Sequence, residues 1–232
     1  MKAATFILTA GLMLTLSGCM ATGEDSMARL SNEEIAVMDL TERELSLRTD
    51  MEAIGFEHQP FSTTIDTFTM PINDLFVNQY ELMEQYRAIQ EEHIDVQSFL
   101  NANDGKSDDE LLAAAMAFDA EAESEDQKIL PSLQRYESAN DAIFSSNLAL
   151  ATKLTMQAVR LYDLSQIDLA ALLEDEGMMM LTKIGQFGEV YDRAKAQLDY
   201  IGYANEYIEH NEKLVQQLQN LQGLKTASNA SN

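Results

Sequence analysis

The sequence predicts an all-α fold: an elongated antiparallel bundle of about four long, coiled-coil-like helices. Strong helix formers dominate between the turns, and the 232 residues hold only three prolines, ten glycines and no tryptophan. Apolar side chains recur at alternating three- and four-residue intervals over several long stretches. Capping residues, glycines and prolines punctuate those stretches. No segment reads as a strand, an internal repeat or a long low-complexity tract.

In the first element, Ser31, Asn32, Glu33 and Glu34 form a capping box, in which Ser31 and Glu34 satisfy each other's free backbone donors. A helix to about Ile54 follows, with Val37, Leu40, Leu47, Met51 and Ile54 at helical spacing and Gly55 as its stop. Residues 56–70, with Pro60 and a Ser/Thr run, read as an irregular crossing loop. Pro71 suits the first turn of a second helix, where its missing N–H costs nothing. Its seam is Leu75, Gln79, Leu82, Tyr86, Ile89, His93, Val96 and Leu100, a coiled-coil stripe of nearly four heptads.

A turn at residues 101–105 leads to a second capping box, Ser107 to Glu110, and an alanine-rich helical stretch. Pro131 is expected to break or kink the backbone ladder. A further stripe runs Leu133, Tyr136, Asn140, Ile143, Asn147, Leu150, Leu154, Leu161. Phe144, Leu148, Ala151 and Val159 widen it, which predicts contact with more than one neighbour. Residues 165–177 read as a turn with a short helix at Leu169–Leu173. A last helix spans about Met178 to Leu221, with Phe187, Tyr191, Ala194, Leu198, Ile201, Ile208, Val215 and Leu218 along one side. Gly223 ends it, leaving residues 225–232 as a frayed polar tail. The expected organisation is therefore 1–18 leader, 19–30 tether, 31–224 bundle and 225–232 tail. A helical hairpin pair completed by homodimerisation is the structural alternative.

The leader has the layout of a secretory signal: Lys2, an apolar run too short to span a bilayer, then small residues. Leu16-Ser17-Gly18-Cys19 at its end resembles the lipobox of bacterial lipoproteins. The resemblance implies cleavage between Gly18 and Cys19 and a diacylglycerol on the Cys19 thiol, which would tether the protein to a membrane. It covers only the first twenty residues. Cys19 is the one cysteine of the chain, so no internal disulfide is possible and the fold must hold by packing. Met20 rather than aspartate follows it. By analogy with enterobacterial lipoprotein sorting, this implies the outer membrane, facing the periplasm.

Fifteen basic against 39 acidic side chains give a formal charge of −24. That excess opposes binding to nucleic acid or anionic headgroups. It fits either solubility, or a basic protein partner in the envelope or a cation-rich environment. For such a partner the first-choice contact is Asp119, Glu121, Glu123, Glu125 and Asp126, five acids within eight residues without a base.

Nothing nominates a catalytic residue, a metal or a cofactor. The Glu-x-x-His pairs of a bundle metal site are missing, since Gln90 precedes His93 and Tyr207 precedes His210 at that spacing. Putting Gly105 at the sixth position of a calcium loop places Leu100 first and Leu111 twelfth, where carboxylates are required. Met178, Met179 and Met180 lack a cysteine or nearby histidine to make a soft-metal site and read as adaptable packing. The sequence thus predicts a non-enzymatic interaction or accessory component of the cell envelope. A periplasmic bundle holding a small apolar ligand between its helices is the alternative.

Overall fold

The computed structural model describes residues 38–177 and 181–230. The leader, Cys19, the tether, the Ser31–Glu34 box, Val37 and Met178–Met180 lie outside the described residues. Those described form seven α-helices and no strand: α1 Leu40–Ile54, α2 Thr63–Glu92, α3 Ile94–Asn103, α4 Asp108–Glu121, α5 Ile129–Ser165, α6 Leu169–Glu176 and α7 Phe187–Ala230. The all-α class holds, with seven helices where about four long ones were expected. No described helix is long and apolar enough to cross a membrane.

Helix boundaries follow local chemistry. Asp39 caps α1 by accepting from the Thr41 and Glu42 N–H groups, so this helix starts well after Ser31. Gly55 ends it at φ +81°, donating to the Met51 carbonyl. The expected loop over 56–70 is much shorter. Ser62 accepts from Ile65 N–H and Asp66 accepts from Phe61 N–H, so α2 begins at Thr63. Pro71 therefore lies inside α2, not in its first turn. The roles of the two prolines are exchanged, because Pro131 sits in the first turn of α5, where no donor is needed. The break assigned to Pro131 falls earlier, at the Glu125–Gln127 3-10 turn.

The long second helix is also divided. His93, at φ −116° and ψ 47°, separates α2 from α3. Its ring packs edge-on against Tyr136, with centroids 5.7 Å apart. The second capping box is present, with Ser107 N–H and Oγ–H both donating to Glu110 at 3.1 and 2.7 Å. Those bonds hold the Glu110 carboxyl below its ordinary range. The last helix starts later than expected, at Phe187, and continues through Gly223 to Ala230. Its backbone thus overruns the expected end and most of the expected tail.

Paired residues give the topology. Asn73 meets Gln197 and Gln90 meets Tyr207, so α2 and α7 run parallel. Gln79 and Tyr86 meet Asn147 and Tyr136, so α5 is antiparallel to α2. Glu52 meets Tyr80 and Asp50 meets Tyr200, while Thr41 meets Asn101 and Gly55 meets Arg193. Helix α1 is therefore antiparallel to both α2 and α7. The bundle is a parallel pair, α2 and α7, flanked by α1 and α5, with α3 and α4 packed onto it.

The expected seams form one core. Leu47, Met51, Leu75, Leu82, Val96, Leu133, Ile143, Ile201, Ile208 and Leu218 are buried within it. A smaller cluster, Phe61, Ile65, Leu164 and Leu172, closes the end where α5 turns into α6. Of the four residues expected to widen the α5 stripe, Phe144 is buried and Ala151 half-buried, whereas Leu148 and Val159 face outward.

Candidate functional site

The three longest helices repeat one local pattern. Tyr86 and Gln90 on α2, Tyr136 and Asn140 on α5, and Tyr207 and Asn211 on α7 are each four residues apart, and all six are buried. At that spacing side chains share a helix face. Asn140 donates to the Tyr136 carbonyl and Asn211 to the Tyr207 carbonyl, at 2.9 and 3.0 Å. The Tyr86 and Tyr136 hydroxyls meet at 2.8 Å, and Gln90 donates to the Tyr207 hydroxyl at 3.2 Å. Gln90 also donates to Gln97, Gln97 to Asn101, and Asn101 to Thr41, so the chain of amides leads outward to α1. Burial pushes the phenols up: Tyr136 to about 12, and Tyr86 and Tyr207 well above their ordinary value. The centre is thus neutral and polar, with the Asn140 and Asn211 side-chain oxygens buried and unpartnered.

The surface is different in kind. Between α5 and α7 lies a groove of about 490 Å³. Phe144, Leu148 and Ala151 give it an apolar side, and Glu137, Asp141, Glu209 and Glu212 an acidic one. Gln219 donates to Glu137, Gln216 donates to Glu212, and Lys213 pairs with Glu209. The Glu212 carboxyl is raised by burial and then by Glu209. Leu148 connects the groove to the outer face of α5, where Leu148, Met156, Val159 and Tyr162 are 71, 55, 59 and 65 % exposed. Such side chains scattered singly need no explanation; four on one helix face form a patch.

Two further depressions flank the bundle. A cleft of about 310 Å³ between α1, α2 and α3 carries an ion-pair ladder, with Arg48 on Glu44 and Glu84, and Arg87 on Glu84 and Glu91. Burial raises the Glu44 carboxyl despite both guanidinium groups. A more apolar groove of about 460 Å³ lies between α3 and α4, lined by Phe99, Ala114 and Phe118 with Asp95 and Glu121 at its edge.

The acidic stretch chosen from sequence is divided among separate tasks. Asp119 accepts from Ile129 N–H and so caps the start of α5. Glu125 pairs with Lys128. Glu121 reaches the α3–α4 groove, and Glu123 is exposed. The Asp126 side chain, like Gly18 and Cys19, lies outside what is described. His93 packs on Tyr136, His210 bonds Asp104 at 2.8 Å, and His58 bonds Thr69 at 3.0 Å. No group of three or more His, Cys, Asp or Glu among the described residues could hold a metal ion.

Sequence reasoning missed the acids of the α5–α7 groove. Their signal was present but unread: Glu137 and Asp141 each follow a seam residue, Tyr136 and Asn140, and Glu209 and Glu212 flank the seam positions Ile208 and Asn211. Residues one step off a buried stripe line its rim. No family model, curated protein or solved structure matches this chain.

Proposed function

We propose that this protein is a lipid-anchored component of a bacterial cell envelope, tethered at an outer membrane through Cys19 and facing the periplasm. It acts without catalysis, as a helical docking bundle for another envelope protein. The anchor rests on the leader and on Leu16-Ser17-Gly18-Cys19. The docking role rests on one observation: the outward face of α5 carries Leu148, Met156, Val159 and Tyr162 in the open. A formal charge of −24 sets its surface against nucleic acid and anionic lipid. The core centre is occupied by its own tyrosines and amides, which favours docking on the surface over a ligand between the helices.

Intact-mass analysis of the membrane fraction tests the anchor. A chain beginning at residue 19 with added acyl mass is expected. The Cys19→Ala variant should remain uncleaved or leave the membrane. Recovery of a soluble chain with an unmodified Cys19 thiol would overturn the assignment.

A further inference from the structure

We infer that the outer face of α5, from Leu148 to Tyr162, continues into the α5–α7 groove as the docking site for a basic amphipathic helix of a partner protein. This deepens the docking reading above and rests on it. At 100° per residue, Leu148, Thr152, Thr155, Val159 and Tyr162 fall within about 80° of arc. The two threonines add methyl groups to the stripe, because their hydroxyls turn back onto the Leu148 and Ala151 carbonyls at 3.1 and 3.5 Å. Lys153 and Arg160 lie more than about 100° from the centre of that arc. Within that arc residues 148–162 carry no charge, Lys153 and Arg160 lie beyond Met156, and Glu137 and Asp141 fall on the same arc about two to three turns earlier. Residues 137–162 rise about 37 Å, the reach of a partner helix of ~25 residues.

Charge decides what covers it. The stripe opens through Leu148 onto Glu137, Asp141, Glu209 and Glu212; among the described residues the lysine ion pair of this group is that of Glu209 with the exposed Lys213. A second copy docking the same face about a two-fold axis would lay these acids on the apolar stripe of its equivalent and bury them with no cation from that stripe facing them. An anionic lipid surface would repel them. The chain's own residues 20–37 fit no better, with Arg29 alone against Glu24, Asp25, Glu33 and Glu34. An apolar stripe beside four carboxylates complements a helix with leucine-like side chains on one face and Lys or Arg along its edge.

The test uses the full chain and two defined 18-residue probes, a Leu/Lys amphipathic helix and a Leu/Glu helix with the same apolar face. A photo-crosslinking residue is placed at Val159 or, for comparison, at Ala117 by the α3–α4 groove. The Leu/Lys probe should bind, crosslink from position 159 and not 117, and weaken as salt rises. The Leu/Glu probe should not bind. The groove variant Glu137→Gln/Asp141→Asn/Glu209→Gln/Glu212→Gln should lose at least about tenfold in affinity, and so should Leu148→Ser/Val159→Ser. A charge-matched control, Glu92→Gln/Glu121→Gln/Glu123→Gln/Glu125→Gln, should lose less than about threefold. Circular dichroism checks that every variant folds. Equal losses in groove and control variants would reduce the effect to net charge and overturn the site. Crosslinking from 117, crosslinks between two copies or to the chain's own leader, equal binding of the Leu/Glu probe, or no binding of the Leu/Lys probe would each overturn it as well. None of these outcomes touches the acyl mass on Cys19, so failure of the docking site and failure of the anchor are separately visible.

Discussion

Asn147 and Asn205 exchange hydrogen bonds across the α5–α7 contact: each donates its side-chain amide to the other's main-chain carbonyl, at 3.0 and 2.8 Å. Gln79 on α2 then donates to the Asn147 side-chain oxygen at 3.2 Å. One buried layer thereby ties the three longest helices, and a slide of any one by a turn would break it. Replacing Asn147 by Ala should cost about 2–4 kcal/mol, because two bonds go and the buried Gln79 amide is left unpaired. Asn205→Ala should cost about 1–2 kcal/mol. In urea denaturation the double variant should fall short of the sum of the two, as expected for a shared network. Equal costs for the two single variants would show that Gln79 does not depend on the layer.

The buried phenols predict an alkaline limit. Tyr136 is raised to about 12 and Tyr86 well above its ordinary value, both first by burial. The native state therefore keeps protons that the unfolded chain releases near pH 10. Above that point the unfolded state binds fewer protons, so stability falls as pH rises from about 10 to 12; below it these groups add no pH dependence. Phenolate absorbance from these two residues should appear only with loss of the helical signal. Their titration near pH 10 in a folded protein would contradict the burial.

The two prolines should respond in opposite directions. Pro71 lies inside α2 and deprives the Thr67 carbonyl of its helical donor. Pro71→Ala restores that donor, offset by greater freedom of the unfolded chain, and should stabilise by about 1–2 kcal/mol. Pro131, in the first turn of α5, removes a donor that has no helical acceptor. Pro131→Ala should cost about 0.5–1 kcal/mol through the unfolded state alone. Thermal melts of the two variants suffice; a stabilised Pro131→Ala would place the α5 start elsewhere.

These prolines also mark how far the sequence could be read. Periodicity identified the seams, because burial of a helix face needs only the spacing of Leu75, Leu82, Val96, Leu133 or Ile201. Boundaries were less legible. Ser62 with its Thr neighbours resembles loop chemistry until Asp66 is seen accepting from Phe61 N–H, which makes the same residues a helix start. His93 continues the α2 seam in sequence, yet its ring settles against Tyr136 from another helix, a contact that no local pattern encodes. The α5–α7 groove depends on which helices become neighbours, so its four acids could not be gathered from positions some seventy residues apart. By contrast, the acids from Asp119 to Asp126 stand out in sequence, whereas the folded chain turns Asp119 to the Ile129 N–H and pairs Glu125 with Lys128.

Two substitutions grade the α2 seam. Leu82 is buried, whereas Ile89 is only half-buried against the core. Leu82→Asp places an unpaired carboxylate in an apolar setting and should cost several kcal/mol, on the order of 3–5. Ile89→Asp should cost less, about 1–3 kcal/mol, since its carboxylate can reach water. Melting curves followed by circular dichroism rank the pair. The reverse order would rotate the assigned face of α2.

The parallel pairing of α2 with α7 sets the order in which the chain can assemble. Asn73 finds Gln197, and Gln90 finds Tyr207, only after more than a hundred intervening residues have been made. Arg193 likewise reaches back to the carbonyls of Gly55 and Glu57 at 3.0 and 2.9 Å, fastening the earliest hairpin from the last helix. A chain emerging from its N-terminus would present the α7-facing sides of α1 and α2 uncovered until α7 follows. Contacts of such long sequence separation slow folding and prolong that exposure. Truncation within α7 should therefore remove support from both ends of the sequence at once, leaving the first hairpin as vulnerable to proteolysis as the last helix.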